Sequence, residues 1–305
     1  MNIGIIGAGA MGCLFAALLS PCHRITLYDV SRVTVDAANV RGIRVGETDG
    51  RSEVFRIPTK MSGKDEEEKE LVILFVKAAA TRAAIVANRA LFGRDTLLLS
   101  LQNGMGNEEI MEQFLPRERI LLGTTKHNSV TTAPAEIFHS GVGVTTIGSP
   151  AGNEKTARRI VDAFRAAGID TVFSPNVKRL LWEKLFVNMT INPVTALLDR
   201  KIGFIAENEF ARELTRVLIS EAAAVARADG EEFSPDKLFA SVIHTATVLS
   251  EGRASMCQDM EKGRPTEIDS INGAVIRLGE KYHIPTLTHE AIVRLIHAKE
   301  RSALD

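Results

Sequence analysis

Lys184, Asn188 and Asn192 fall at i, i+4 and i+8 in the segment WEKLFVNMTINP, so one cation and two amides share one face of a helix. The residues between them, Leu185, Phe186, Val187, Met189 and Ile191, are apolar. The stripe therefore reads as a hydrogen-bonding surface, although spacing alone leaves a solvated face open. A lysine ammonium placed this way can stabilise negative charge growing on an oxygen and hand it a proton. Pro193 removes a backbone donor inside the same helix and should kink it or free the Met189 carbonyl. Ser255 and Asp259 repeat the i, i+4 spacing. The run from Arg264 to Asp269 reads as a helix stop and restart, with Thr266 as N-cap and Asp269 as its capping-box partner. Glu267 then falls in the first turn, where the helix dipole favours an ionised carboxylate.

A second constellation opens the chain. Gly7, Ala8, Gly9, Ala10, Met11 and Gly12 form a GxGxxG that follows a β-type run and starts a helix near Met11, the context in which the pattern signals dinucleotide binding. Gly7 permits the tight turn, Gly9 lets the backbone approach a pyrophosphate, and Gly12 lets the helix pack against the strand. The helix N-terminus adds N–H groups and a positive dipole end. Asp29 ends the second strand, 17 residues after Gly12, where an acidic side chain would bond the ribose 2′-hydroxyl of NAD and repel the 2′-phosphate of NADP. Arg32 lies three residues further on and could grip that phosphate, so these two residues leave the cofactor undecided. Lys77 follows the third apolar run and Gln102-Asn103-Gly104-Met105-Gly106 follows the fourth. Both belong at the carboxyl edge of a parallel sheet, where such folds bind ligands, though a strand-end lysine and an ordinary turn have the same spacing.

The elements that must position these residues change character along the chain. Ile3–Ile6, Ile25–Tyr28, Leu71–Val76, Leu97–Leu101 and Ile120–Thr124 are short apolar runs alternating with helical spacing, the pattern of a doubly wound α/β domain. LVILFV at 71–76 should be a central strand buried on both faces. Phe138–Ile147 looks like an antiparallel hairpin at the sheet edge, and Lys64–Glu70 (KDEEEKE) like a solvated lead-in to a strand. After Asn176 helical patterns take over, at 180–198, 210–228, 238–260 and 268–281. The expected domains are 1–174, a Rossmann dinucleotide-binding domain, and 175–305, an all-helical substrate domain, joined near Ser174–Pro175.

Composition narrows the function class. The chain has 305 residues, 45% hydrophobic and 25% charged, as an ordinary globular protein does. Its formal charge of −1 creates no field toward nucleic acid or an anionic membrane. No stretch approaches the roughly 20 apolar residues that span a bilayer, and the N-terminal run lacks a signal peptide's basic flank. Cys13, Cys22 and Cys257 are odd in number with no CxxC spacing, which argues against disulfides and zinc and for a cytoplasmic protein. The seven histidines show no metal-like or triad-like cluster, and His127 and His139 read as structural. No metal is expected.

Together the motifs resemble the ketopantoate reductase (2-dehydropantoate 2-reductase) family along nearly the whole chain. The resemblance is carried by GAGAMG at 7–12, Lys77 in FVKA, QNGMG at 102–106, WEKLFVNMTINP, and SMCQDM with GRPTEID between Ser255 and Asp269. It implies a Rossmann domain followed by a helical domain similar to that of 6-phosphogluconate dehydrogenase, with the active site in the cleft between them. It implies reduction of ketopantoate, a small 2-keto acid, to (R)-pantoate in the route to pantothenate and coenzyme A, with NADPH the family's usual cofactor. Lys184 is then the general acid, Glu267, Asn103, Asn188, Asn192 and Ser255 contact substrate or the reacting oxygen, and Lys77 lies on the cofactor side. The helical domain could support a homodimer, as in some relatives. Two positions depart from the family. It commonly has an arginine just after the second strand, whereas here Asp29 precedes Arg32, which keeps NADH open. Its asparagine three residues before the serine is Gly252 here, which keeps a different branched 2-keto acid open as substrate. A cofactor-binding protein without turnover is the alternative from another class.

Overall fold

A strand apolar at every position needs cover on both faces, and Leu71 to Leu74 has it, all four being buried. The computed structural model describes residues 1–65 and 67–302. In it the chain forms two compact units, residues 1–102 with 107–180, and residues 103–106 with the chain from Leu181 onward. The strands of the first unit are β1 (Asn2–Ile6), β2 (Arg24–Asp29), β3 (Ile43–Glu47), β4 (Ser52–Phe55), β5 (Thr59–Met61), β6 (Leu71–Leu74), β7 (Leu97–Ser100), β8 (Ile120–Thr125), β9 (Asn128–Ala133), β10 (Glu136–Gly141), β11 (Thr145–Gly148) and β12 (Thr171–Phe173). Its helices are α1 (Ala10–Leu19), α2 (Arg32–Arg41), α3 (Thr81–Ala87), α4 (Asn107–Met111) and α5 (Glu154–Ala166).

The main sheet runs β12-β11-β8-β7-β6-β1-β2-β5, and its pairs are parallel except β11 with β8. Strand order reverses at β1, whose register pairs Ile3 with Ile25 on one side and Leu71 on the other. That reversal is the place where doubly wound sheets take ligands. The segment 138–147 is not a hairpin at the edge of this sheet. The hairpin is β9–β10, and it belongs to a second sheet of order β4-β3-β10-β9, while β11 joins the main sheet. The second sheet explains α1. AMGCLFAALL is apolar all round, and a helix of that kind must be covered on every side. β1 and β2 cover one side and β3, β9 and β10 another. His127 and His139 lie buried under this helix, 3.1 Å apart, with His139 Nδ1 against the Glu47 carboxylate and the His127 ring edge-on to Phe15.

The helical unit contains most of α6 (Val177–Leu198), then α7 (Phe204–Glu207), α8 (Glu209–Ala228), α9 (Pro235–Val248), α10 (Ser255–Glu261), α11 (Ile268–Tyr282) and α12 (Leu287–Ser302). Its core gathers Trp182, Phe186 and Met189 of α6, Leu218 and Ala222 of α8, Val242 of α9, Ile271 and Val275 of α11 and Ile296 of α12. The pattern at 238–260 is two helices, because the chain turns between Val248 and Ser255. Gly252 closes that turn, donating its N–H to the Leu249 carbonyl and accepting from Ile202 N–H. α12 is an addition to the sequence expectation.

The acidic run before β6 is also more than a solvated lead-in; Glu66 in it lies outside the described residues. The Lys69 side chain is fully buried, 2.8 Å from Glu67 and 3.7 Å from Asp65. Asp65 in turn accepts a 2.5 Å hydrogen bond from the Tyr28 hydroxyl and pairs with Lys60 at 2.9 Å. These contacts tie the run to β2 and β5. Burial works against ionisation of Asp65, but the Tyr28 hydroxyl and the Lys60 ammonium outweigh it and hold its carboxyl well below the usual range. A depressed folded-state value stabilises the fold above the unfolded pKa, near 4, and the contribution is lost as pH falls. Asp65→Asn is therefore expected to cost about 1.5–3 kcal/mol at neutral pH. In urea titrations across pH, the gap to the parent protein should close on acidification below about pH 4.

Candidate active site

Gly7 adopts φ +108°, and a Cβ there would lie 2.8 Å from Val76 N. A Cβ at Gly12 would lie 1.7 Å from the Gly7 carbonyl oxygen, so this pair of glycines fixes how tightly the loop after β1 folds back on α1. Gly9 is different. It is the N-cap of α1, no side chain caps the helix, and a Cβ at Gly9 would meet no protein atom within 4 Å. The first turn of α1 thus presents backbone N–H groups and the positive dipole end beside open space, which suits a pyrophosphate.

Asp29 sits beside this loop at the end of β2. One carboxylate oxygen accepts from Ala8 N–H at 2.6 Å and the other from Ser31 N–H at 2.7 Å. Two backbone donors pin the carboxylate at the carboxyl edge of the sheet. Arg32, the first residue of α2, pairs with Asp36 one turn along at 3.0 Å and is 77% exposed. Lys77 lies three residues past β6, half-buried, with its carbonyl accepting from Ala80 N–H. The loop after β7 is tied to the same edge by Gln102, whose side-chain amide donates to the Val76 carbonyl and the Thr81 hydroxyl.

Asn103 to Gly106 belong to the helical unit. Met105 N–H donates to the Ser270 carbonyl of α11 at 2.9 Å, and Arg277 reaches the Met105 carbonyl at 3.3 Å. Gly104 makes this approach possible. Its φ is +81°, and a Cβ would stand 2.2 Å from the Ser270 oxygen. The close approach puts Asn103 Nδ2 3.0 Å from Glu267 Oε2. Glu267 is the N-cap of α11, so the helix starts one residue later than expected, and the Glu267 carbonyl accepts from Ser270 and Ile271 N–H. The capping box does not form. Thr266 Oγ1 accepts from Ile268 N–H, Thr266 N–H is taken by Glu300 of α12, and Asp269 turns to His297.

Lys184 faces the Glu267 carboxylate from α6. Burial pushes its ammonium down from the ordinary lysine value to about 8, and Glu267 opposes the shift. Two turns on, Asn192 Nδ2 lies 3.3 Å from Ser255 Oγ, at the first residue of α10. Asn188 stands between Lys184 and Asn192 on the helix and is half-buried. The structure therefore brings Asn103, Glu267 and Lys184 together and pairs Asn192 with Ser255. It also places Asp29 on the glycine loop, while Arg32 is engaged elsewhere. α6 stays helical through Pro193, and the Met189 carbonyl it frees accepts from Asn272 Nδ2 at 3.0 Å. Sequence reasoning missed Asn272, Ser270, Arg277, His297 and Glu300. A polar residue inside α11 facing a proline-freed carbonyl was the available signal for Asn272. Ile292 and Ile296 at i, i+4 before a basic last turn were the signal for α12. Among the described residues no group of His, Cys, Asp and Glu could hold a metal ion, and no helix is long and apolar enough to cross a membrane.

Residues 3–152 match the model of the family described as ketopantoate reductase PanE/ApbA, and residues 176–300 match that of its C-terminal domain. The chain is similar to a 2-dehydropantoate 2-reductase of Streptococcus pyogenes serotype M1, 31% identical over 98% of both chains. It is likewise similar to one of Pyrococcus abyssi, 32% identical over 98% of both. Among solved structures it superposes with a TM-score of 0.96 on D-mandelate dehydrogenase in a ternary structure with NADH and anilino(oxo)acetate, 29% identical over 100% of each chain. The two domain matches and the relatives lead to one conclusion: the chain belongs to the ketopantoate reductase family.

Proposed function

We propose that this protein reduces 2-dehydropantoate to pantoate, with residues 1–174 as the dinucleotide-binding domain and 175–305 as the substrate domain. The observation that carries the reading is Lys184, a half-buried lysine whose proton affinity is lowered to about 8 beside Glu267 and Asn103. Reduced nicotinamide, when bound, supplies the hydride. The residues of this chain handle the oxygen. As the carbonyl carbon is reduced, charge grows on its oxygen; the Lys184 ammonium stabilises that charge and transfers a proton to it, then regains one from solvent. Glu267 keeps Lys184 protonated in the ground state. Asn103, Asn188, Asn192 and Ser255 supply neutral donors and acceptors to hold the 2-keto acid, and Lys77 lies on the cofactor side. The free thiols of Cys13, Cys22 and Cys257 suit a cytoplasmic setting.

We also infer a preference for NADH over the family's usual NADPH. Ala8 and Ser31 N–H pin Asp29 at the end of β2, where an acidic side chain of such a fold bonds the ribose hydroxyls and its charge would repel a 2′-phosphate, and Arg32 is paired with Asp36. The NADH in the structure of the mandelate dehydrogenase relative supports this choice.

The reading is tested by measuring NADH and NADPH oxidation with ketopantoate and a panel of other 2-keto acids. Ketopantoate should be the best substrate, and Lys184→Ala should lower kcat by about 10²-fold or more. For the parent protein kcat/KM should be level near neutrality and fall above about pH 8, as Lys184 loses its proton. NADH should be favoured over NADPH by roughly tenfold, about 1.4 kcal/mol, and Asp29→Asn should narrow or reverse that ratio. Cofactor binding without turnover on any keto acid would sink the reductase reading.

A further inference from the structure

Glu267 is held from both sides by α12. The residue before it, Thr266, donates its N–H to Glu300 Oε1 at 2.7 Å. Glu300 Oε2 lies 2.8 Å from His297 Nδ1, and His297 Nε2 lies 2.9 Å from Asp269 Oδ1, two residues after Glu267. One imidazole therefore bridges two carboxylates, and the chain Thr266–Glu300–His297–Asp269 forms a bracket around the backbone of the site carboxylate. Burial of His297 disfavours its charged form, but Asp269 and Glu300 outweigh this and raise its pKa, which favours the imidazolium that donates to both carboxylates. The side chains of Asp269 and His297 are 72% and 41% exposed, and ion pairs at such exposure contribute little to stability. Their geometric effect is larger. A displacement of about 1 Å at a reacting group can cost 10²-fold in rate, and Glu267 must stay within reach of both Asn103 and Lys184.

We propose that Glu300 and His297 are positioning residues for the reaction, holding the start of α11 so that Glu267 faces Lys184 and Asn103. The inference rests on the reading of Lys184 as the proton donor.

The test compares Glu300→Ala, Glu300→Gln and His297→Ala with the parent protein, using NADH and ketopantoate across pH. Glu300→Ala removes the acceptor of Thr266 N–H. It should lower kcat about tenfold with little change in KM. It should also move the alkaline limb of kcat/KM to lower pH, because a displaced Glu267 no longer supports the Lys184 ammonium. Glu300→Gln keeps an oxygen for Thr266 and should restore most of kcat and the limb. His297→Ala should fall between the two. A merely structural role would lower thermal stability and leave the pH limb in place. The proposal is overturned if Glu300→Ala, folded by circular dichroism, retains both kcat and the limb, or if Gln fails to rescue it. If Glu300→Ala does not fold, a His297→Ala protein with parental kcat and limb overturns the proposal, and a shifted limb supports it. The pH dependence of Lys184 acylation by an amine-selective reagent, read by mass spectrometry, gives the same shift without turnover. Should the parent protein fail to reduce ketopantoate, the reductase reading fails, while this measurement still decides whether Glu300 positions Glu267.

Discussion

Burial takes protons away from Lys184 and Glu267 gives part of that affinity back, and the helical unit is organised around this opposition. A fully hydrated lysine would hold its proton too firmly to give it up, and a buried lysine without an anion nearby would not be charged at neutral pH. The compromise near 8 requires a carboxylate at a fixed distance. α6 supplies the lysine, the start of α11 the carboxylate, and the 103–106 loop an amide that donates to that carboxylate. The glycine at 104 matters because it allows this loop to lie against the Ser270 carbonyl.

The first unit solves a separate problem, presenting a helix N-terminus without a side-chain cap. Backbone N–H groups left without partners at a helix start are costly unless water or a ligand takes them. Here the helix is held in place by its flanks instead. α1 is covered by two sheets, and Phe15, Leu14 and Leu19 are buried. Its stability comes from packing along its length, so its first turn is free to serve a ligand. Asp29 engages the loop from the side through Ala8 N–H, which leaves the end of the helix itself clear.

Much of this was legible in the sequence, for identifiable reasons. The buried parallel strands announce themselves as unbroken apolar runs, and GAGAMG identifies its turn because Gly7 and Gly12 answer steric demands while Gly9 leaves the helix start open. Lys184, Asn188 and Asn192 could be placed on one face because helical spacing is rigid. What stayed hidden depends on partners far away in the chain. KDEEEKE reads as solvent-facing until Tyr28 and Lys60 are seen to pair with Asp65 and the Lys69 side chain proves buried. TEID reads as a capping box until α12 arrives with Glu300 to take the Thr266 N–H. The hairpin at 128–141 gave no sign that it would leave the main sheet to cover α1.

Pro193 illustrates how such distant partners bind two parts of a sequence to each other. A proline at this point leaves one helical carbonyl, that of Met189, without its usual donor, and Asn272 fills the gap from α11 while also meeting His289. Replacing the proline with a residue that carries an N–H would hand the carbonyl back to its own helix and leave the asparagine amide with His289 alone. Replacing the asparagine with an apolar residue would strand the carbonyl. Neither change is neutral alone, and even the two together leave the buried His289 ring without its Asn272 partner, so position 272 answers to 193 and to 289 at once. A proline that reads as a local irregularity of one helix thereby constrains what two other helices can carry.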